Sequence, residues 1–504
     1  MKISIVYPHI IPSNWRATAV GKFMTVHLFL FLRSVNIQSI DWTIPSEKQI
    51  LERDFYVPGY NVTSEDLTGV DTLALAFAAS HALSIYEIPT VSFENKGGFN
   101  SLLRIEFPQH GRKLLARIPL KGPRSAFHIE SSVATMSFAR WVRNIPTPKI
   151  FAWNASNGNP VGVPYVLQEY IDNVVEPWEV WGKVSDRSRS GILDELAQWH
   201  TAFLKPLPHP LSGVGDLGFA PGLSAAAPLS DPQSYIVRPL QSGPQPLVCS
   251  VSLDHLWDRL WSHHTMASAS GSQIDCEVLS LDDEQFDAAS FAITAIRVHD
   301  FAKDALRLLE QYPLLVLPCL ANHDYAYRNI LLDPCSYRVK AFIDWDDVHV
   351  MPFIIGIDFP EDIKVFSVKG RSLNSNYYHE GEFPCLPPDE HGKIVGAVDD
   401  FGNLTEIDEN GRSTGVYERD ERIRNTLLRE QFIRAMEVWD ERVAQPDMWK
   451  VRSKVLRAHH LLTGGGRMWW EKRRWLGKQL AECPVEILEG KFLSLVRSDN
   501  LVGS

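Results

Sequence analysis

The sequence feature that most constrains the fold is a short polar loop followed by two brief β-prone runs. Asp324 and Asn329 are separated by four residues, and the runs Ile330–Leu332 and Val339–Ile343 come next. Asp344 directly follows the second run. Two short runs joined by a turn predict a hairpin, and the ends of a hairpin lie side by side. We therefore expect the oxygen-bearing side chains of Asp324, Asn329 and Asp344 to converge.

Three converging oxygen-bearing side chains favour phosphoryl transfer. Mg²⁺ binds hard oxygens and keeps its remaining positions for water and phosphate. Phosphoryl transfer uses that metal to neutralise phosphate charge and places one carboxylate beside the incoming hydroxyl. Taken singly, the same residues have structural interpretations, with Asp344 as a strand-end cap, Asp324 as a loop-capping acid and Asn329 as a turn former. The order of the upstream elements favours the catalytic interpretation.

The segment upstream predicts a small, strand-rich lobe that contains one helix. Three β-prone runs, at 90–94, 102–107 and 114–118, are separated by turn residues and predict a meander. An apolar stripe of helical period predicts a helix over Phe127–Val142. A further strand is predicted over Pro164–Tyr170. From about residue 173 the pattern becomes helical.

The rest of the chain predicts long helices. The periodicity indicates helices over Arg187–Phe203, Ala288–Tyr312 and Glu418–Leu480. A Pro-, Ser- and Gly-rich connection runs over Pro206–Pro246, and residues 380–416 have the character of an insertion. His200 is interpreted as a packed structural histidine.

Read in chain order, the motifs resemble those of the aminoglycoside phosphotransferase, or phosphotransferase-enzyme, family, in particular its fungal branch. The motifs that carry the resemblance, over roughly residues 90 to 360, are Gly97–Asn100, Ala116–Pro119, Val133–Met136, Ile145–Lys149, Leu167–Tyr170, Leu196–His200, Asp324–Asn329 and Ile343–Trp345. The resemblance implies an α+β, two-lobed protein-kinase-like fold, with a β-rich nucleotide-binding lobe and a larger helical lobe. It divides the chain into an irregular leader (1–72), the small lobe (73–171) and the helical lobe (172–504), which includes the insertion near 380–416.

The resemblance also implies roles for matched positions in the helical lobe. Asp324 would be the catalytic base that orients the acceptor hydroxyl. Asn329 and Asp344 would hold Mg²⁺. The implied reaction moves the γ-phosphate of ATP to an alcohol group of a small molecule. Because acceptor pockets in this fold are often acidic, a cationic acceptor is compatible with the acids that follow Asp344.

In the small lobe the implied roles concern the nucleotide. Gly97 and Gly98 would lie in the loop over the phosphates, where the missing side chain lets backbone N–H groups approach. Arg117 falls on the third strand, at the position where a phosphate-pairing Lys is usual. The segment Gln168–Tyr170, that is Gln168, Glu169 and Tyr170, would form the hinge that meets adenine through its backbone.

Three departures from the family pattern support a different hypothesis, a catalytically degraded, kinase-like binding or scaffold protein. Asn322 stands where His is usual, two residues before Asp324. Arg117 replaces Lys, and Ser132 stands where the helix usually carries an ion-pairing Glu. Glu130 lies two residues earlier, roughly 200° around the helix, and should face elsewhere. Asp346 and Asp347 are interpreted as solvated or as supporting the ligands rather than as ligands.

Composition restricts the class of partner and the compartment. The 504 residues carry 50 Lys and Arg against 61 Asp and Glu, so the net charge of −11 argues against a general nucleic-acid binder. The longest apolar run near the start, 26–32, is too short to span a bilayer, so we expect no membrane association. Six cysteines without C-x-x-C spacing favour a reducing compartment. An acid-free start leaves mitochondrial import as the alternative to a cytoplasmic location.

Overall fold

The computed structural model describes seven ranges of the chain: 69–97, 99–120, 126–223, 229–240, 252–269, 288–363 and 419–479. Three features interpreted above lie outside these ranges: residues 1–68 of the leader, Gly98, and the insertion near 380–416. The described residues all belong to one compact unit, so the lobe boundary at 171/172 stays a prediction.

The small lobe is built on a five-stranded antiparallel sheet with the strand order β1-β2-β3-β5-β4. Its strands are β1 (Thr90–Lys96), β2 (Asn100–Phe107), β3 (Arg112–Pro119), β4 (Ile150–Asn154) and β5 (Tyr165–Glu169). The predicted meander and the predicted strand before residue 170 are confirmed. The sequence did not indicate β4, which has only five residues.

Alternating burial divides the sheet into two faces. Along β2 the buried residues Leu103 and Ile105 alternate with half-buried ones, and Ala116 of β3 lies opposite Leu103. Helix α1 (Thr72–Leu83), which was not predicted, contacts both edge strands, β1 and β4, and so crosses one face of the sheet. The face that carries Arg117 is directed towards the helical lobe, where Arg117 contacts Asp346.

Helix α2 (Ala126–Trp141) confirms the helix predicted over Phe127–Val142. It contacts β4 of the sheet and β6 (Asp216–Phe219) of the helical lobe. Strand β6 pairs with β7 (Tyr235–Arg238) inside the segment that the sequence predicted to be a connection.

Long helices form the body of the second lobe. They are α4 (Asp186–Leu204), α5 (Leu253–Ala269), α6 (Ala288–Leu309), α8 (Arg419–Trp439) and α9 (Met448–Gln479), and α3 (Pro177–Val180) is a single turn before α4. The predicted C-terminal helical segment is thus two helices. Helix α9 bends at Gly465, whose φ of +68° falls in the left-handed region. None of the described helices is long and apolar enough to cross a membrane.

Two hairpin-like pairs carry the polar loop. Strand β8 (Pro318–Asn322) pairs with β11 (Val348–Pro352), which leads into the short helix α7 (Phe353–Gly356). Between them, β9 (Ile330–Leu332) pairs with β10 (Val339–Phe342), as the sequence predicted. A small antiparallel sheet followed by a helical lobe with a nested pair of hairpins is the two-lobed, protein-kinase-like α+β architecture that the resemblance implies.

Candidate active site

Two buried tyrosines fix the loop that carries Asp324. Tyr325 donates its hydroxyl to the carbonyl of Leu196 on α4 at 2.8 Å, and its ring is 3% exposed. Tyr327, 2% exposed, begins a 3-10 turn and donates its backbone N–H to Asp362 Oδ2 at 2.7 Å. Since both rings point into the core, Asp324 and Arg328 are left on the cleft side of the loop, with 25% and 53% of their side chains exposed.

Both carboxylate oxygens of Asp324 accept hydrogen bonds. Oδ1 accepts from the guanidinium of Arg328, which also donates to Glu361. Oδ2 accepts from Nδ2 of Asn329 at 2.7 Å. Asn322 Oδ1 accepts from the backbone N–H of Asp324 at 3.1 Å, so Asn322 supports the loop. The carboxylate is therefore held in one orientation and still reaches the cleft.

Asn329 and Asp344 are brought together by the hairpin. The backbone N–H of Ile343 donates to the carbonyl of Asn329 at 2.8 Å, which places Asp344 one residue from that contact. Because Nδ2 of Asn329 donates to Asp324, both to Oδ2 and to the carbonyl, its Oδ1 is the atom left to face a cation. The side chain of Asp344 is 45% exposed.

Asp344 has a backbone φ of +58°, in the left-handed region. Asp and Asn tolerate this region better than other residues with a Cβ. Trp345 holds the turn, because it is buried and donates its indole N–H to the carbonyl of Phe342 at 2.8 Å. A substitution that tests the carboxylate should therefore be Asn rather than Ala.

Aromatic packing from α4 supports this whole region. The ring of Phe203 stacks on Trp345 with centroids 5.3 Å apart and meets Phe342 edge-on at 5.3 Å. His200, one helical turn earlier, is fully buried, contacts Tyr325 at 4.8 Å and accepts the backbone N–H of Asp358. Burial lowers the pKa of His200 to about 4. The prediction that His200 is a packed structural residue is confirmed.

Arg117 reaches from β3 into the helical lobe. Its Nη2 lies 3.0 Å from Asp346 Oδ2 and 3.8 Å from Asp344 Oδ1. Asn100, at the start of β2, also donates to Asp346 Oδ2, at 3.3 Å. Burial lowers the pKa of Arg117 and the charge of Asp344 raises it, yet a guanidinium keeps its proton throughout.

The helix α2 supplies no acid to Arg117. Glu130 instead pairs with Arg238 of β7, with Oε1 and Nη2 2.5 Å apart. Ser132 is buried, and its hydroxyl has no hydrogen-bond partner among the residues that the structure describes. The expectation that Glu130 faces elsewhere is confirmed.

The β1–β2 turn is closed by its own backbone. The N–H of Gly97 donates to the carbonyl of Asn100 at 2.9 Å, so it is already engaged. A Cβ at Gly97 would lie 3.7 Å from the same oxygen, an ordinary contact. Phosphate contacts by this loop would therefore need other amides, and Gly98 lies outside the described residues.

The predicted hinge lies at the end of β5. Gln168 is 4% exposed, and its side-chain oxygen Oε1 accepts no hydrogen bond from any residue in the described ranges. The N–H of Glu169 donates to the carbonyl of Lys149 at 2.8 Å, so that amide is committed to the sheet. Tyr170 donates its hydroxyl to Glu94 of β1 at 2.6 Å, and burial, followed by Glu94, raises the pKa of Tyr170 to about 12.

The structure thus joins Asp324, Asn329, Asp344 and Arg117 at one cleft, whereas the roles assigned to these residues stay predictions. It adds two residues that the sequence did not single out as partners, Arg328 at Asp324 and Asp346 at Arg117. The only sequence signal for Asp346 is its position two residues after Asp344. Such a position does not reveal a contact with a residue 229 positions away.

Comparison with known proteins gives distant similarities. No protein-family model matches the chain. A match of 344 residues at 23% identity relates 60% of this chain to 64% of a subtelomeric hrmA-associated cluster protein of Aspergillus fumigatus, so the chain spans just under two thirds of that relative. A match of 80 residues at 35% identity relates 16% of the chain to 11% of the altered inheritance of mitochondria protein 9 of Saccharomyces cerevisiae. Both relatives are fungal.

Comparison with solved structures also gives distant similarities. An ethanolamine kinase of Plasmodium vivax is 11% identical, with 97% of this chain and 96% of that chain covered, at a TM-score of 0.38. An aminoglycoside phosphotransferase of Streptomyces rimosus is 10% identical, with 77% and 98% covered, at a TM-score of 0.35. TM-scores this low do not support a fold assignment. The assignment therefore rests on the element order described above.

Proposed function

We propose that the protein is an ATP- and Mg²⁺-dependent small-molecule kinase that transfers the γ-phosphate to a hydroxyl group. The observation that carries the proposal is the loop in which Asn329 holds the carboxylate of Asp324 at 2.7 Å while the hairpin places Asp344 beside it. A carboxylate presented to the cleft, next to two oxygen donors of the kind that Mg²⁺ binds, is the arrangement that phosphoryl transfer needs.

Each residue would have a defined part. Asp324 accepts the hydrogen bond of the acceptor hydroxyl and takes its proton as the phosphoryl group is transferred. Its hydrogen bonds from Arg328 and Asn329 fix the orientation in which it does so. The acceptor is a small molecule with a hydroxyl, and a cationic acceptor would suit the acids Glu361 and Asp362 near the loop.

The residues present fit the metal and the nucleotide. Asn329 Oδ1 and Asp344 would hold Mg²⁺, and both are hard oxygen donors. Bound there, the metal would neutralise phosphate charge. Arg117 meets acids only through Nη2 within the described residues, so its Nε and Nη1 keep N–H donors for phosphate oxygens. Oε1 of Gln168, which has no partner among the described residues, is suited to accept a hydrogen bond from the exocyclic amino group of adenine.

Calorimetric titration with ATP, with and without Mg²⁺, tests the proposal. The wild type should bind ATP tightly only with Mg²⁺. In Asp344→Asn, ATP binding should no longer depend on Mg²⁺, because the substitution removes a charged ligand. Asn tolerates the left-handed backbone of position 344 as Asp does. Asp347→Asn removes the same charge three residues later and is the matched control. If ATP binds equally in all these conditions, or not at all, the proposal is wrong.

The second candidate function is a kinase-like binding or scaffold protein without turnover. It is favoured by Ser132, whose buried hydroxyl has no partner within the part of the chain that the structure describes, and by Arg328, which donates to one oxygen of Asp324. This hypothesis predicts weak or metal-independent nucleotide binding and no ADP release with any acceptor. A screen of hydroxyl-bearing small molecules for ADP release separates the two functions.

The location is a further proposal. We favour the cytoplasm, and mitochondria are the alternative because one partial relative is named a mitochondrial protein. A C-terminal fluorescent fusion expressed in yeast distinguishes the two. Overlap with a mitochondrial dye would overturn the cytoplasmic assignment.

A further inference from the structure

A buried guanidinium needs a counter-ion, and the structure shows which residue is nearest. Arg117 is 9% exposed as a residue. Within the described ranges, the carboxylates within 4.0 Å of it are those of Asp344 and Asp346. The acid on α2, Glu130, is paired with Arg238. An unpaired charge in such a place would be strongly unfavourable, so these two aspartates carry the balance.

The two aspartates are not equivalent. Asp344 is 45% exposed and lies 3.8 Å from Nη2, beyond hydrogen-bond distance, while Asp346 is 13% exposed and hydrogen-bonded at 3.0 Å. If Asp344 binds a metal ion, the carboxylate of Asp346 remains to balance the positive charge of Arg117. Asp347, the next residue, is exposed.

Asp346 also connects two parts of the sheet that flank the cleft. It accepts a hydrogen bond from Arg117 on β3 and another from Asn100 at the start of β2, directly after the β1–β2 turn. The carboxylate of Asp346 therefore holds both the guanidinium of Arg117 and Asn100, which directly follows the β1–β2 turn. Within the described residues Arg117 meets these carboxylates only through Nη2, so its Nε and Nη1 keep N–H donors for phosphate oxygens.

We propose that Asp346 is a positioning residue that holds Arg117 and the β1–β2 turn in the geometry that binds nucleotide phosphates. This inference rests on the proposed function, since it requires that phosphates bind at Arg117. Asp346 itself touches neither metal nor phosphate in this assignment. An acid at position 132 of α2 would hold Arg117 in the same way, but that position is occupied by Ser132.

The sign of the effect separates positioning from simple electrostatics. Removing a negative charge close to a phosphate site should by itself tighten ATP binding. If Asp346 positions Arg117, Asp346→Asn should instead weaken binding of ATP with Mg²⁺, by about tenfold, the size of coupling usual for contacting charged pairs. Asp347→Asn, with the same charge change at an exposed site, should leave ATP affinity unchanged or slightly higher.

A double-mutant cycle with Arg117→Met, read by calorimetry on the full-length chain, completes the test. In the Arg117→Met background, Asp346→Asn should have no further effect on ATP affinity. Asp346→Glu, which keeps the charge, should recover part of the affinity. Binding of adenosine, which has no phosphates, should be equal in the wild type and Asp346→Asn, which also shows that the cleft is folded.

The alternatives give distinct results. An equal loss of ATP affinity in the Arg117→Met background would mean that Asp346 acts on the metal, and a loss of adenosine binding would mean that it acts on the fold. Either result, or unchanged or tighter ATP binding in Asp346→Asn, overturns the assignment while leaving the kinase proposal intact. If the wild type binds no ATP, the proposed function and this inference both fail.

Discussion

In the helical lobe, the loop that carries Asp324 rests on packed aromatic rings, whereas on the sheet Arg104 is held by partly exposed charged pairs. Phe203, Tyr325 and Trp345 are at most 3% exposed. By contrast, Arg104 and Glu94 on the sheet have side chains that are 36% and 29% exposed. Apolar packing is insensitive to salt, while exposed pairs are weak and screened. The comparison therefore predicts that the loop around Asp324 is rigid and that the sheet is adjustable.

The largest effect should follow from Asp324→Asn. Asn keeps the shape and can still accept from Arg328, but it cannot take a proton from the acceptor, so turnover should fall by about 10²- to 10⁴-fold. ATP affinity and unfolding midpoint should change little, because the rings under the loop are untouched. ADP release with the best acceptor from the screen measures the loss, with Asp347→Asn as control. Retained turnover would show that Asp324 is not the base.

The next largest effect tests the packed half directly. Phe203→Ala removes a ring that contacts both Trp345 and Phe342, and should cost about 3–5 kcal/mol of unfolding free energy. Val438→Ala on α8, at a side chain that is 77% exposed, should change stability by less than about 0.5 kcal/mol. Urea unfolding measures both. Equal effects would mean that the rings under the loop are not what holds it.

Acid should weaken the packed half through His200. Burial lowers the pKa of His200 to about 4, so between pH 6.5 and 4 the unfolded chain binds a proton that the folded chain does not. The stability due to neutral His200 is complete above pH 6.5 and is lost as the pH falls towards 4, by about 3 kcal/mol at about 1.4 kcal/mol per pKa unit.

His200→Gln, which can still accept from Asp358, isolates this contribution. The stability difference between the wild type and His200→Gln should be largest at pH 7 and should shrink by about 3 kcal/mol at pH 4, as followed by urea unfolding at each pH. A difference that stays constant with pH would show that His200 titrates equally in the folded and unfolded chains.

What the sequence predicted correctly is local. The spacing of Asp324, Asn329 and Asp344 around two short runs predicted the hairpin that joins them, because β-pairing over so few residues leaves one arrangement. Helix α4 followed from a clear apolar stripe. Helix α1 was missed, because it is apolar on most sides and so lacks the polar face on which periodicity depends.

What the sequence did not predict depends on distant contacts. Asp346 was interpreted as solvated or as supporting the ligands, yet its side chain is 13% exposed and pairs with a residue of β3. Spacing along the chain predicts what neighbouring residues do, whereas this contact forms only when the sheet meets the helical lobe.

The smallest effect should come from the exposed half. Glu94 accepts from Tyr170 and lies 3.3 Å from Arg104, while Glu106 lies 3.5 Å from the same Arg104 without a tyrosine. Glu94→Gln should cost less than about 1 kcal/mol because the pair is partly solvated, and Glu106→Gln should cost less still. Both losses should shrink as salt is raised. A salt-independent loss for Glu94→Gln as large as that of Phe203→Ala would break the comparison, because the sheet side of the cleft would then be as rigidly held as the loop.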